Sequence, residues 1–378
     1  MRIGLFTDTY YPEINGVANS TYMLRNALEA MGHTVYVITS RVSGTESSPE
    51  EHIYRIPSIK PYLVKDRHLA LVVEPYWKHK GKQMELDVIH TQTEFTVGML
   101  GMRIAQKFGI PLVHSYHTMY EDYTHYFHVP KSEKLKPVVR MLSAKFCNYA
   151  DGVIVPTDKV RKKLHSYKVY RDVYVVPTGL DPAKYGNCDA NEVERLRARY
   201  GLESGYTLLY IGRLAEEKNI DQVIDHYKKL EDAGEDVNLL IVGDGPVRGK
   251  LEKQARDLRI RSIAFTGAVL WEEIQNYYAL GDLFVSASTS ETQGLTYNEA
   301  LASGLPILVR RDPCLEQVLR EGENGMGFVG EEEFLKGYRA IRALPEGLAP
   351  EAYTDRDFAQ EVLAVYKEIS SEAMRHRA

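Results

Sequence analysis

The chain has 378 residues, 44% of them hydrophobic, which is enough for two sizeable cores. Its formal net charge of -5 argues against a general nucleic-acid binder. No apolar run reaches the roughly 18 residues that a membrane-crossing helix needs.

Met1 leads straight into a strand-like run, so no signal peptide is expected. Short apolar runs at 3–6, 34–39, 88–90, 112–115, 152–155 and 173–176 predict strands separated by helical segments. The rhythm repeats at 207–211, 238–242, 263–266, 283–286 and 306–309. Buried parallel strands read as such continuous runs of Val, Ile and Leu, with helices as crossovers. The fold class is therefore α/β, with two doubly wound, Rossmann-like domains. Ligands of such sheets bind at the carboxyl ends of the strands. Pro177, Gly179 and Pro182 cluster after a strand and mark the boundary. The domains are expected at 1–178 and 179–356. Residues 357–378 carry a helix with Phe358, Val362, Val365 and Tyr366 at helical spacing. It either packs on the second domain or crosses back to the first.

The strand-end segments carry the chemistry, in chain order. Thr9 to Ala18 follows the first strand, and Gly16 lets backbone amides approach a phosphate or sugar. It is not a G-x-G-x-x-G fingerprint, and no P-loop occurs, so neither a nicotinamide cofactor nor a P-loop nucleotide site is expected. Asp87 to Glu94 and His114 to Tyr126 follow two further strands. The second holds three histidines, two carboxylates and four tyrosines within thirteen residues. Its H-x-x-H spacing straddles a strand end, so a polar sugar or acceptor pocket is favoured over a metal. The cysteines Cys147, Cys188 and Cys314 have no metal spacing either, and fit a reducing cytoplasm.

Two basic stretches stand out against the acidic whole. Residues 60–82 hold six Lys/Arg and two acids, interleaved with Trp77 and tyrosines; residues 131–145 hold five Lys/Arg and one acid. In the latter, Leu135, Val138, Val139 and Leu142 fall on one helical face. Together they point to contact with an anionic membrane surface. The competing reading is a pair of ordinary surface helices whose apolar faces pack inward.

In the second half, Arg213 and Lys218 lie between a strand and the next helix, a cation pair suited to a diphosphate. Val242 to Pro246 is a glycine turn after the following strand. Glu291 and Glu299 stand eight positions apart, one on a turn after a strand and one within the helix that follows. Carboxylates accept hydrogen bonds from sugar hydroxyls, and helix N-terminal amides attract phosphate.

Taken in order, these motifs resemble the retaining, nucleotide-sugar-dependent glycosyltransferases of GT-B architecture, of the family 4 type. In those enzymes two Rossmann-like domains face a central cleft. The wording of His90–Phe95, Tyr116–Tyr123 and Ser290–Tyr297 is similar to the branch that glucosylates diacylglycerol. The resemblance implies that Arg213 and Lys218 hold the donor diphosphate, that Glu299 takes the ribose and that Glu291 touches the donor sugar. It puts Gln293, Gly294 and Leu295 near sugar or phosphate, Gly16 against the diphosphate, and Gly267 and Val269 by the base. His117 matches the active-site histidine. Tyr10, Tyr120, Tyr123, Trp77, Lys78, Lys134 and Arg140 are expected on the acceptor or membrane side. The implied reaction moves a hexose, glucose before galactose, from a UDP-sugar to the 3-hydroxyl of 1,2-diacylglycerol. No cofactor or metal is expected, and the enzyme would sit peripherally on the inner face of the cell membrane. The same chemistry on a soluble glycan or phosphoinositide, or a non-catalytic binding module, are the alternatives. A family trait also favours the crossing-back position for the last helix.

Overall fold

A computed structural model describes residues 1–13, 15–42, 51–60, 68–121, 135–344 and 353–375. The chain forms two compact units, Met1–Gly179 with Tyr353–Ala378, and Leu180–Ala352.

The first unit contains β1 (Arg2–Thr7), β2 (Thr34–Ser40), β3 (Ile53–Ile56), β4 (Ser58–Ile59), β5 (Leu69–Ala70), β6 (Val88–Thr91), β7 (Leu112–Ser115), β8 (Gly152–Val155) and β9 (Val173–Val175). Strands β4 and β5 pair antiparallel as a small separate sheet. The others form a parallel sheet in the order β3-β2-β1-β6-β7-β8-β9. Ile3 pairs with Val35 on one side and Val88 on the other. The chain winds outward in both directions from the β1/β6 junction, the place where sheets of this kind bind ligands.

Each face of this sheet has its own core. On one face Phe6, Ile38, Ile89 and Val153 pack with Leu100 and Ile104. On the other, Ile3, Leu5, Val37, Val88 and Val113 pack with Phe358, Val362, Leu363, Tyr366 and Ile369. The last group belongs to the C-terminal helix Asp355–Arg375, which therefore covers a face of the first unit's sheet. A buried polar contact adds specificity to that apolar seam: His90 Nδ1 lies 2.6 Å from the Tyr366 hydroxyl, and its Nε2 lies 2.8 Å from Ser115 Oγ.

The second unit holds β10 (Tyr206–Ile211), β11 (Val237–Val242), β12 (Ile263–Phe265), β13 (Leu283–Ser286), β14 (Ile307–Arg310) and β15 (Gly325–Phe328). They form one parallel sheet in the order β12-β11-β10-β13-β14-β15. Its switch point is the β10/β13 junction, where Leu208 pairs with Leu283. Among the described residues, no helix is long and apolar enough to cross a membrane.

Candidate active site

The switch point of the second unit brings together two segments that are remote in sequence. The loop after β10 runs through Arg213 to a single 3-10 turn, Glu216–Lys218. The loop after β13 runs to the helix Leu295–Ala302. Asn219, in a left-handed conformation, donates from Nδ2 to the carbonyl of Ala287 at 3.1 Å. Ser290 Oγ donates to the carbonyl of Glu217 at 3.3 Å. These bonds hold the loops side by side, and Lys218 Nζ meets Glu291 Oε1 at 2.6 Å. Arg213 is exposed on the same loop, and its carbonyl accepts from the Tyr210 hydroxyl at 3.3 Å.

Gly294 begins the helix with φ 76°, a conformation that L side chains rarely adopt. A Cβ there would also collide with the ring of Tyr297. Glycine thus lets the helix start directly beneath Gln293, which is buried. Leu295, the first helical residue, is half-buried. The turn after β11 approaches the β10 loop just as closely. Gly243 has φ 134°, and a Cβ on it would strike the carbonyl of Gly212. Gly243 also donates to the carbonyl of Gly267 at 3.0 Å, which brings the turn after β12 alongside; Val269 lies half-buried two residues on.

Glu299 is buried on the helix Leu295–Ala302, with Tyr185 and Tyr278 donating to its two oxygens at 2.9 and 2.6 Å. Burial raises its pKa, while the two phenols and then Lys184 act in the opposite direction. Lys184 is itself held down to about 8, chiefly by burial, and its Nζ lies over the Trp271 ring.

In the first unit the expected residues gather at the ends of β1, β6 and β7. His117 is half-buried, and its Nε2 lies 2.7 Å from Gln92 Oε1. Burial, with His114 nearby, lowers the His117 pKa to about 3, so the ring is neutral at ordinary pH. His114 itself is buried, with Nδ1 lying 3.0 Å from Thr91 Oγ1. Gly16 is exposed as the first residue of the helix Gly16–Ala30, which is capped by Asn15 Oδ1 accepting from the Ala18 amide at 3.0 Å.

Two acceptor-side expectations, Tyr10 and Trp77, need correction because both side chains are buried. Tyr10 is 1% exposed and lies in the core beneath the C-terminal helix, where burying its ring gains more than exposing it. Trp77 is buried too, with Tyr54 and Tyr76 edge-on to it. Its helix, Glu74–Met84, turns the indole inward. Lys78 pairs with Glu74 one turn earlier. Arg140 is exposed but pairs with the buried Glu121, which also takes Lys163. Tyr120 packs its half-buried ring edge-on to Phe95 and Tyr116. Tyr123 and Lys134 lie outside the described residues.

Some residues that shape these loops have no signal in local spacing. Asp8 is buried after β1 and accepts from Thr93 Oγ1, Thr96 Oγ1 and the Val97 amide at 2.6, 2.6 and 2.9 Å, so it fixes the start of the helix Thr96–Phe108. Gln92, Tyr185 and Tyr278 each hold an expected site residue.

Residues 14–184 match the model of Glycosyltransferase Family 4, and residues 192–341 that of Glycosyl transferases group 1. The alpha-monoglucosyldiacylglycerol synthase of Streptococcus pneumoniae is 40% identical over 338 residues, covering 88% of this chain and 76% of that one. The synthase of the same name from Acholeplasma laidlawii is 34% identical, covering 96% and 95%. Among solved structures, Anabaena HepE in complex with UDP-glucose superposes with a TM-score of 0.71 at 16% identity, over 99% of this chain and 98% of that one, a likeness of fold. The chain belongs to the family 4 glycosyltransferases, with the two parallel-sheet units of the GT-B fold.

Proposed function

We propose that the enzyme transfers glucose from UDP-glucose to the 3-hydroxyl of 1,2-diacylglycerol, with retention of configuration and without a metal, giving α-monoglucosyldiacylglycerol. The observation that carries this reading is the meeting of Lys218 and Glu291 at the second unit's switch point, beside the loop of Arg213. Two relatives at 40% and 34% identity bear the name of that synthase, and a fold neighbour was solved with UDP-glucose.

The chemistry follows from charge. As the bond from the sugar C1 to the diphosphate oxygen breaks, negative charge grows on the departing UDP. Arg213, Lys218 and the amides at Gly294 offset that charge from fixed positions, which lowers the barrier. The acceptor oxygen then bonds to C1 on the face the diphosphate leaves, and its proton passes to the departing phosphate. Glu291 serves the sugar, Glu299 the ribose, and neutral His117 the sugar hydroxyls.

The membrane part of the reading rests on the helix Lys136–Tyr149. Val138, Met141 and Leu142 are 47%, 60% and 56% exposed on it, beside Arg140 and Lys145. Leu71, Val73 and Tyr76 add exposed apolar surface in the other basic stretch. Such faces suit the interface of an anionic bilayer, here the inner face of the cell membrane. Co-sedimentation with vesicles tests this. Binding to anionic vesicles well above that to neutral ones is expected; equal, negligible binding to both contradicts it.

A further inference from the structure

Glu299 is 7% exposed, a costly place for a carboxylate unless its oxygens are well served. The phenol of Tyr185 donates to Oε1 at 2.9 Å and that of Tyr278 to Oε2 at 2.6 Å. Both tyrosines are buried, and their rings meet edge to face with centroids 5.9 Å apart. Neither ring can swing away without opening the core around it. Each carboxylate oxygen has about two lone-pair directions, so one phenol on each leaves one direction on each still able to accept. Two fixed donors on two different oxygens also set the plane of the carboxylate. One donor alone would leave it free to rotate about the Cγ–Cδ bond.

We propose that Tyr185 and Tyr278 are positioning residues that orient Glu299 to accept both vicinal hydroxyls of the donor ribose, and so make the enzyme selective for a ribonucleotide over a deoxynucleotide donor. This rests on the reading of Glu299 as the ribose residue. A vicinal diol offers two O–H donors to the two remaining acceptor directions. The phenols act through the carboxylate and need not touch the nucleotide themselves.

Calorimetric binding of UDP and of 2′,3′-dideoxyuridine diphosphate tests the proposal on the wild type and on E299Q, Y185F and Y278F. Each phenylalanine variant should weaken UDP binding about fivefold to tenfold, the scale of one ordinary hydrogen bond. Binding of the dideoxy ligand should stay unchanged, because it lacks the hydroxyls that Glu299 receives. Both ligands weakening equally means that the phenols serve only the fold, and overturns the proposal. Unchanged UDP binding in Y185F and Y278F, with a loss in E299Q, also overturns it while leaving the ribose reading intact. If E299Q keeps the wild-type preference for UDP, the ribose reading falls and the proposal with it. Thermal melts check folding; should one phenylalanine variant not fold, the other carries the test alone.

Discussion

Lys218 and Glu291 are 73 residues apart in the chain, yet Nζ and Oε1 lie 2.6 Å apart. Their side chains are only 16% and 18% exposed. Both were expected to face a donor, one its diphosphate and one its sugar, and they are joined to each other. The ion pair gives the lysine a fixed direction before any anion arrives, so part of the cost of ordering a long side chain is met in folding.

Removing either cation should therefore damage turnover far more than folding. Lys218→Ala and Arg213→Ala are each expected to lower kcat by about a hundredfold or more, the scale of losing one fixed donor to a developing anion. Arg213 is exposed, so the melting temperature of its variant should match the wild type. A double-mutant cycle between Lys218 and Glu291 should be non-additive, because each single change already breaks the pair. Near wild-type turnover in both single variants removes the clamp.

Gly294→Ala combines a strained φ of 76° with a collision against Tyr297. The substitution should destabilise the protein by more than about 1 kcal/mol and displace the helix start on which Glu299 depends. A denaturant melt reads the first effect and UDP affinity the second.

The C-terminal helix provides an independent check on the first unit. Tyr366→Phe leaves a buried His90 nitrogen without its partner at 2.6 Å, so a loss of about 1–3 kcal/mol is expected. Phe358→Ala empties a core position and should cost roughly 3–5 kcal/mol. Equal melting temperatures for the wild type and both variants would contradict the helix's place on that sheet.

Burial holds His33, His90, His117 and His226 below their ordinary value, and they set a pH dependence in which His90 and His117 are shifted furthest. His117 titrates at about 3, and His90 well below its ordinary value, both chiefly through burial. The unfolded chain binds these protons near pH 6.5, the folded chain only much lower. Their stabilising contribution is complete above about pH 6.5 and is lost as pH falls from there toward 3. Melts between pH 7 and 5 should show the decline, and His117→Asn should make it shallower. An identical slope in the variant contradicts the assignment.

Much of the fold was legible because buried parallel strands are written as unbroken apolar runs, as at 239–242. Strand β15, Gly-Met-Gly-Phe, escaped notice because its two glycines read as loop. Strand β3 carries Arg55 at the sheet edge and lacks such a run. The loops were legible: strand ends adjacent to helices pointed to the segments that carry Arg213, Lys218, Glu291 and His117, whose roles came from the resemblance. Their partners were not, because Tyr185 reaches Glu299 across 114 residues and Tyr366 reaches His90 across 276. Such pairs depend on strand order and helix docking, which local spacing does not encode. The inward turn of Trp77 was missed because composition says which residues a helix carries, not which face it buries.

The most direct test of the central claim is incubation with labelled UDP-glucose and diacylglycerol in anionic vesicles, followed by lipid extraction and proton NMR of the product. Label in the lipid phase as an α-linked glucosyl diacylglycerol is the predicted result. A lipid phase without label, or a β-linked product, would contradict the account.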